Sequence, residues 1–249
     1  MKKKILGVIP ARYASTRFPG KALADISGKP MVQRVYEQAS KAKSLDHVVV
    51  ATDHVKIYDK VREFGGNVVM TREDHPSGTD RCYEALMKTG DDYDYIINIQ
   101  GDEPFIQPKQ IDELAALLDG ETQLATLAAK IGDEASLSNT GIVKVIFDYN
   151  GNAIYFSRES IPYFRGAEKS EWLRKHTYYK HVALYAYRRD ILAEITLLKV
   201  SSLERAESLE QLRWIENGYK IRIGVTEHET IGIDTPEDLE RALKMKLLV

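Results

Sequence analysis

The sequence predicts an α/β protein built on a doubly wound, mostly parallel sheet, and three features of the chain carry that expectation. Short runs rich in β-branched residues alternate with longer amphipathic segments. The runs are apolar almost without interruption, the pattern of strands covered by helices on both faces. Prolines and cap residues stand where helices should begin.

The strand candidates of the first half are Ile5–Ile9, His47–Ala51, Asn67–Met70, Tyr95–Ile99 and Leu124–Ala129. Helical segments fall between them at Met31–Ala42, Val55–Phe64, Thr79–Lys88 and Lys109–Leu118. Pro30 and Pro108 take first helical positions, and Asp53 reads as an N-cap. In the second half Val143–Asp148 and Ala153–Ser157 flank Tyr149-Asn150-Gly151-Asn152, a hairpin in which Asn-Gly supplies positive φ angles. A polar segment, Ile161–Arg174, leads to an aromatic strand at Tyr178–Tyr187, read as an insertion or an edge strand. Leu203, Ala206, Leu209, Leu212 and Ile215 give helical spacing over Ser202–Asn217. The last helix opens with Thr235 as cap, Pro236 in first position, and Glu237 and Asp238 at the positive end of the dipole. No repeat or linker interrupts the 249 residues, so the chain reads as one domain with a small extension over residues 143–187.

Charged residues make up 29% of the chain, and the two signs nearly cancel to a formal net charge of −2. Such balance gives no bulk attraction to nucleic acid or to an anionic membrane. Cys82 is the single cysteine, which excludes an intrachain disulfide and a thiolate metal cage. It lies in a helical segment and reads as a small core residue. His75, His176 and His228 share no metal-ligand spacing. The lysines at positions 2–4 precede an apolar run too short for a signal core, and no stretch nears the roughly 20 apolar residues that cross a bilayer. The expected location is the cytoplasm.

Directly after the first strand comes Pro10-Ala11-Arg12-Tyr13-Ala14-Ser15-Thr16-Arg17-Phe18-Pro19-Gly20-Lys21. Loops at the carboxyl ends of parallel strands are where such sheets bind ligands. Arg12, Arg17 and Lys21 repel one another unless an anion is near, and a triphosphate is a natural counter-charge. The loop lacks the Walker A spacing. On charge alone it reads equally well as a solvated basic turn. Asp102, in Gln100-Gly101-Asp102-Glu103-Pro104, stands at another strand end, and Asp234 precedes the last helix. Mg²⁺ takes one or two such carboxylates with phosphate and water. A strand-end turn and a helix-capping group explain the two aspartates as simply.

The run Ile9-Pro-Ala-Arg-Tyr-Ala-Ser-Thr-Arg-Phe-Pro-Gly-Lys21 closely resembles the N-terminal signature of CMP-Kdo synthetases, the 3-deoxy-manno-octulosonate cytidylyltransferases. The resemblance continues, in order, at Ala51–His54, His75–Arg81, Gln100–Pro104, Tyr155–Arg158, Leu209–Arg213 and Gly232–Leu239. It implies a sheet of nucleotidyltransferase type, a homodimer joined through residues 143–187, and transfer of CMP from CTP to 3-deoxy-manno-octulosonate (Kdo) for lipopolysaccharide biosynthesis. It further implies Arg12 and Lys21 on the CTP phosphates and Mg²⁺ on Asp102 and Asp234. Ala11, Arg72, Ser77, Gly78 and Gln100 are expected around the nucleotide. Backbone groups near Ser77 and Gly78, with Arg72, suit the cytosine edge, though Ser77 also reads as a plain helix cap. Gln100, Arg158, His181, Tyr185, Glu210 and Gln211 are implied for the sugar acid. Arg158 offers a carboxylate its planar fork. His181 and Tyr185, four apart on one strand, face the same side. An enzyme for a sialic acid or an amino analogue of Kdo, and a nucleotide-binding regulator without catalysis, are the competing readings.

Overall fold

The computed structural model describes residues 3–14, 18–90, 92–229 and 232–244. Arg17, one of the three loop cations, lies outside them with Ser15, Thr16 and Lys2. The strands are β1 (Ile5–Ala11), β2 (Asp25–Ile26), β3 (Lys29–Pro30), β4 (His47–Thr52), β5 (Val68–Met70), β6 (Tyr95–Asn98), β7 (Leu124–Lys130), β8 (Lys144–Phe147), β9 (Ala153–Ser157), β10 (Tyr179–Arg188) and β11 (Ile221–Thr226).

Among the described residues the main sheet runs β11-β7-β10-β6-β1-β4-β5, with the β8–β9 hairpin attached through β10, and β2–β3 form a separate ribbon. Pairs β1–β4, β1–β6, β4–β5 and β7–β11 are parallel, as expected for an α/β sheet. The aromatic strand β10 is not an edge. It lies antiparallel between β6 and β7 in the middle of the sheet. Its inner half is almost wholly apolar and buried, Leu184 to Tyr187, which an edge position would leave wet.

Strand alternation sorts the core onto two faces. Ile5, Ile9, Val50, Ile97 and Leu127 meet helices Met31–Ala39, Val55–Glu63 and Pro108–Ala115 through Val35, Val61 and Leu114. Leu6, Val8, Val49, Ile96 and Leu124 meet Gly78–Thr89, Arg189–Ile195 and Gln211–Glu216 through Ala85, Leu192 and Trp214. Cys82 is buried in this second layer. A smaller cluster joins Ile26, Met31, Phe105, Ile233 and Ala242, and so ties the β2–β3 ribbon, the turn after β6 and the helix Pro236–Lys244 into one unit.

Local details depart from the sequence reading at four points. The cap of Val55–Glu63 is His54, whose side chain accepts from Lys56 N; Asp53 points elsewhere. Pro30 ends β3 and caps Met31–Ala39 rather than opening it, whereas Pro108 does open its helix. In the hairpin, among the described residues, Gly151 takes a positive φ of 76° but Asn150 does not. Gly151 N donates to Asp148 O, so this is a turn closed by one left-handed glycine. Finally, Ser202–Asn217 is two helices, Ser202–Glu207 and Gln211–Glu216, broken where Ser208 turns left-handed at φ 52°.

Helix Gly78–Thr89 is fastened to the loop before it by Glu84. Its carboxylate accepts from Arg72 N (2.9 Å) and pairs with Lys88 (2.7 Å) and His75. Burial pushes the Glu84 pKa up, but these donors, Lys88 foremost, outweigh it and bring the value from 4.5 to about 2. A carboxylate depressed on folding stabilises the protein above its unfolded pKa and loses that contribution as pH falls through the folded value. Glu84→Gln should therefore lower unfolding stability by about 1 kcal/mol at pH 7, the figure reduced for solvent screening near the surface. In urea titrations the gap from wild type should narrow below pH 4.5 and close near pH 2. A gap independent of pH would contradict this assignment.

Candidate active site

The carboxyl ends of β1 and β6 open into one cleft of about 380 Å³, lined by Pro10, Ala11, Arg12, Lys21, Ala22, His75, Pro76, Ser77, Gly78, Arg81, Gln100, Gly101, Asp102 and Asp234. Eight residues singled out in the sequence meet there: Ala11, Arg12, Lys21, Ser77, Gly78, Gln100, Asp102 and Asp234.

Each reaches the cleft for a local reason. Ala11 is the last residue of β1, and exposed Arg12 follows it. Lys21 opens a short 3₁₀ turn after Gly20, whose φ of 71° suits glycine. Gly101 permits a close approach of two backbones, since a Cβ there would lie 2.6 Å from Pro10 O. Asp102 is thereby held beside the end of β1. Asp234 arrives from the far end of the chain because Ile233 is fully buried in the small third cluster and its N–H donates to Asp102 O at 2.9 Å. Burying that one side chain contributes about 1.5–3 kcal/mol to holding the junction. The helix behind it is well capped. Thr235 Oγ1 accepts from Asp238 N, while Asp238 Oδ2 accepts from the amides of Asp234 and Thr235.

The two aspartates converge on a cation. Lys21 Nζ donates to Asp102 Oδ2 at 2.7 Å and to Asp234 Oδ1 at 3.1 Å. Their oxygens are thus no farther apart than those two contacts laid end to end. A single positive centre between them satisfies both, which is the donor chemistry a hard divalent ion requires. Among the described residues no group of three or more His, Cys, Asp or Glu side chains is placed to cage a metal. Two carboxylates are nonetheless the protein share typical of Mg²⁺ that also binds phosphate and water.

Opposite them stands the first turn of Gly78–Thr89. Ser77 caps it, its Oγ accepting from Thr79 N (3.1 Å) and Asp80 N (3.3 Å). The Ser77 hydroxyl also donates to Asp80 Oδ2 at 2.6 Å. Arg81, which sequence reasoning passed over, lines the same wall and is buried at 3% exposure. His75 and Pro76 complete it. The His-Pro-Ser-Gly-Thr-Asp-Arg run contained all of these, but periodicity alone does not say that an arginine four residues past a helix start turns toward a loop.

The remaining expected residues lie around or behind the cleft. Arg72 is outside its lining and forks onto Asp74 at 2.9 and 2.5 Å, which raises the guanidinium pKa and lowers that of Asp74. Arg158 donates from its guanidinium to the carbonyls of Glu207, Ser208 and Thr140 and joins the hairpin to the Ser202–Glu207 helix. His181, Tyr185, Glu210 and Gln211 form a polar-aromatic layer under the sheet end. Rings of His181 and Tyr185 are 5.1 Å apart, and Tyr185 meets Trp214 edge-on. His181 Nε2 is 2.9 Å from Thr126 Oγ1, and desolvation lowers its pKa to about 3, keeping the imidazole neutral. Glu210 accepts from Thr79 Oγ1 at 2.9 Å, and burial pushes its pKa up. Gln211 is 4% exposed. The layer joins the cleft through Thr79, next to Gly78.

The chain resembles known proteins over nearly its whole length. A family model described as cytidylyltransferase matches residues 6–222. The 3-deoxy-manno-octulosonate cytidylyltransferase of Parabacteroides distasonis is 60% identical over 245 residues, covering 96% of this chain and 97% of that one. That of Bacteroides thetaiotaomicron is 59% identical over 243 residues, covering 96% of each. A solved structure of CMP:2-keto-3-deoxy-manno-octonic acid synthetase complexed with CTP superposes with a TM-score of 0.90 at 44% identity, covering 97% of this chain and 98% of that one. Fold, cleft and relatives lead to one conclusion: the chain belongs to the cytidylyltransferase family, among the 3-deoxy-manno-octulosonate cytidylyltransferases.

Proposed function

We infer that this enzyme transfers CMP from CTP to the anomeric hydroxyl of Kdo, releasing pyrophosphate and supplying CMP-Kdo to lipopolysaccharide biosynthesis in the cytoplasm. The observation that carries the reading is the meeting of Asp102 and Asp234 on the Lys21 ammonium, with Arg12 lining the same cleft. Among the described residues no helix is long and apolar enough to cross a membrane.

Arg12 and Lys21 bind the triphosphate and offset charge that grows on the leaving oxygens. Backbone groups at Ser77 and Gly78 face the base, while Ser77 Oγ is engaged in its cap. Ala11 and Gln100 flank the nucleotide, and Arg72 stands at the rim. Kdo takes the side of the cleft from Gln100 toward His181, Tyr185, Glu210 and Gln211. A carboxylate role for Arg158 requires exchange of its present carbonyl partners. Asp102 and Asp234 would hold Mg²⁺. That ion supplies charge neutralisation and Lewis-acid polarisation at the α-phosphate. The protein then has to align the sugar hydroxyl with the phosphorus, a task of positioning more than of proton transfer.

Asp102→Asn and Asp234→Asn should each reduce turnover by about 10²–10³-fold or more while circular dichroism stays native. Pyrophosphate release is the measurement, run with four nucleotides and several sugar acids, with and without Mg²⁺. Near-wild-type turnover in either variant, or equal rates with a sialic acid, would refute the reading. Lys21→Ala should weaken CTP binding about tenfold or more by calorimetry, and unchanged affinity would remove Lys21 from the phosphates. We also assign residues 143–187, where Tyr163 is 75% exposed, to the contact of a homodimer. Sedimentation equilibrium at micromolar concentration should give twice the 28.2 kDa chain mass, and a monomer would contradict it.

A further inference from the structure

We propose that Asp53 is a positioning residue that fixes the phosphate loop against the opposite wall of the cleft, and that CTP affinity depends on it. The inference rests on the assignment of the cleft to CTP. Asp53 follows β4 and is not in the cleft lining. Its two oxygens serve two different structural units. Oδ1 accepts from Tyr13 N, in the loop after β1, at 3.2 Å. Oδ2 accepts from Arg81 Nη2, on helix Gly78–Thr89, at 2.9 Å. The paired side chains are 6% and 4% exposed.

Both partners are held from behind. Arg81 Nη1 also donates to Thr71 Oγ1 (2.5 Å) and Arg72 O (3.1 Å), so the guanidinium has a single orientation. The Tyr13 ring stacks on His54 at 3.9 Å between centroids and 14° between planes, with Lys56 Nζ 5.6 Å from its centre. Tyr13 O accepts from Gly20 N at 3.1 Å, closing the loop on itself one residue before Lys21. A chain of bonds thus runs from the helix through Arg81, Asp53 and Tyr13 to both ends of the segment that carries Arg12 and Lys21.

Stability alone is a weak reason for such a pair, because well-packed apolar residues commonly replace a buried ion pair without loss. A hydrocarbon side chain cannot accept the Tyr13 amide, which belongs to a loop with no strand ladder of its own. A carboxylate can, and its charge fixes where Arg81 stands. Ordering the loop in advance removes that cost from nucleotide binding.

Asp53→Asn keeps the shape, removes the charge and turns an amide nitrogen toward Arg81. Measured by calorimetry at a temperature where circular dichroism is native, its Kd for CTP should rise about tenfold, with the KM for the sugar acid nearly unchanged. Asp53→Glu should recover part of the loss. Tyr13→Ala keeps the backbone amide that Asp53 accepts and removes only the ring stacked on His54, so it should weaken CTP less than Asp53→Asn does. Should Asp53→Asn not fold, Asp53→Glu decides: it keeps the charge but displaces the acceptor, and a natively folded Asp53→Glu with wild-type CTP affinity would overturn the proposal. Wild type that fails to bind CTP would overturn the cleft assignment itself. Wild type that binds CTP, with variants of lowered melting temperature but unaltered Kd, would overturn the positioning role alone.

Discussion

Two like charges separated by more than a hundred residues of chain can share a small volume only around a positive centre, and the rest of this fold is arranged to make that meeting occur. Asp102 and Asp234 lie within hydrogen-bonding distance of the Lys21 ammonium. The parallel strands β1 and β6 bring Lys21 and Asp102 to the same end of the sheet. The C-terminal segment is then pinned by a buried isoleucine and one backbone hydrogen bond to Asp102. Gly101 lets the ends of β1 and β6 approach closely.

Around this acidic point the cleft sets its cations and its helix start. Arg12 is exposed on the loop, Lys21 is shared with the carboxylates, and Arg81 is committed to Asp53. The cleft therefore presents Arg12 at its surface, while the charges of Lys21, Asp102 and Asp234 meet in one place. Behind the helix start, burial keeps His181 neutral and holds the Glu210 carboxyl above the ordinary carboxylate range. Such a layer offers hydrogen bonds more than fixed charge.

Much of this was legible in the chain. Continuous apolar runs locate five of the first seven strands within a residue or two, because strands buried on both faces leave few positions for polar residues; the two-residue strands β2 and β3 are too short to show such a run. The loop after β1 and the strand-end Asp102 followed from the rule that parallel sheets bind at their carboxyl ends. The place of β10 did not follow. Its aromatic outer half reads like an exposed face, and only tertiary pairing with β6 and β7 reveals a central strand. Asp53 reads as a cap because Asp caps many helices, and nothing local distinguishes a carboxylate aimed at a distant arginine from one aimed at its own helix. The same limit hid Arg81 and the broken helix at Ser208, where a left-handed serine interrupts an otherwise regular stripe. The nearness of Asp234 to Asp102 is a tertiary fact carried by Ile233, and from the sequence it rested on resemblance alone.

Diffraction from crystals grown with CTP and Mn²⁺, using the anomalous signal of the metal, tests the central claim most directly. The account predicts a peak bonded by carboxylate oxygens of both Asp102 and Asp234, with the nucleotide phosphates facing Arg12 and Lys21. A metal bound away from either aspartate, or a nucleotide lodged outside this cleft, would contradict it.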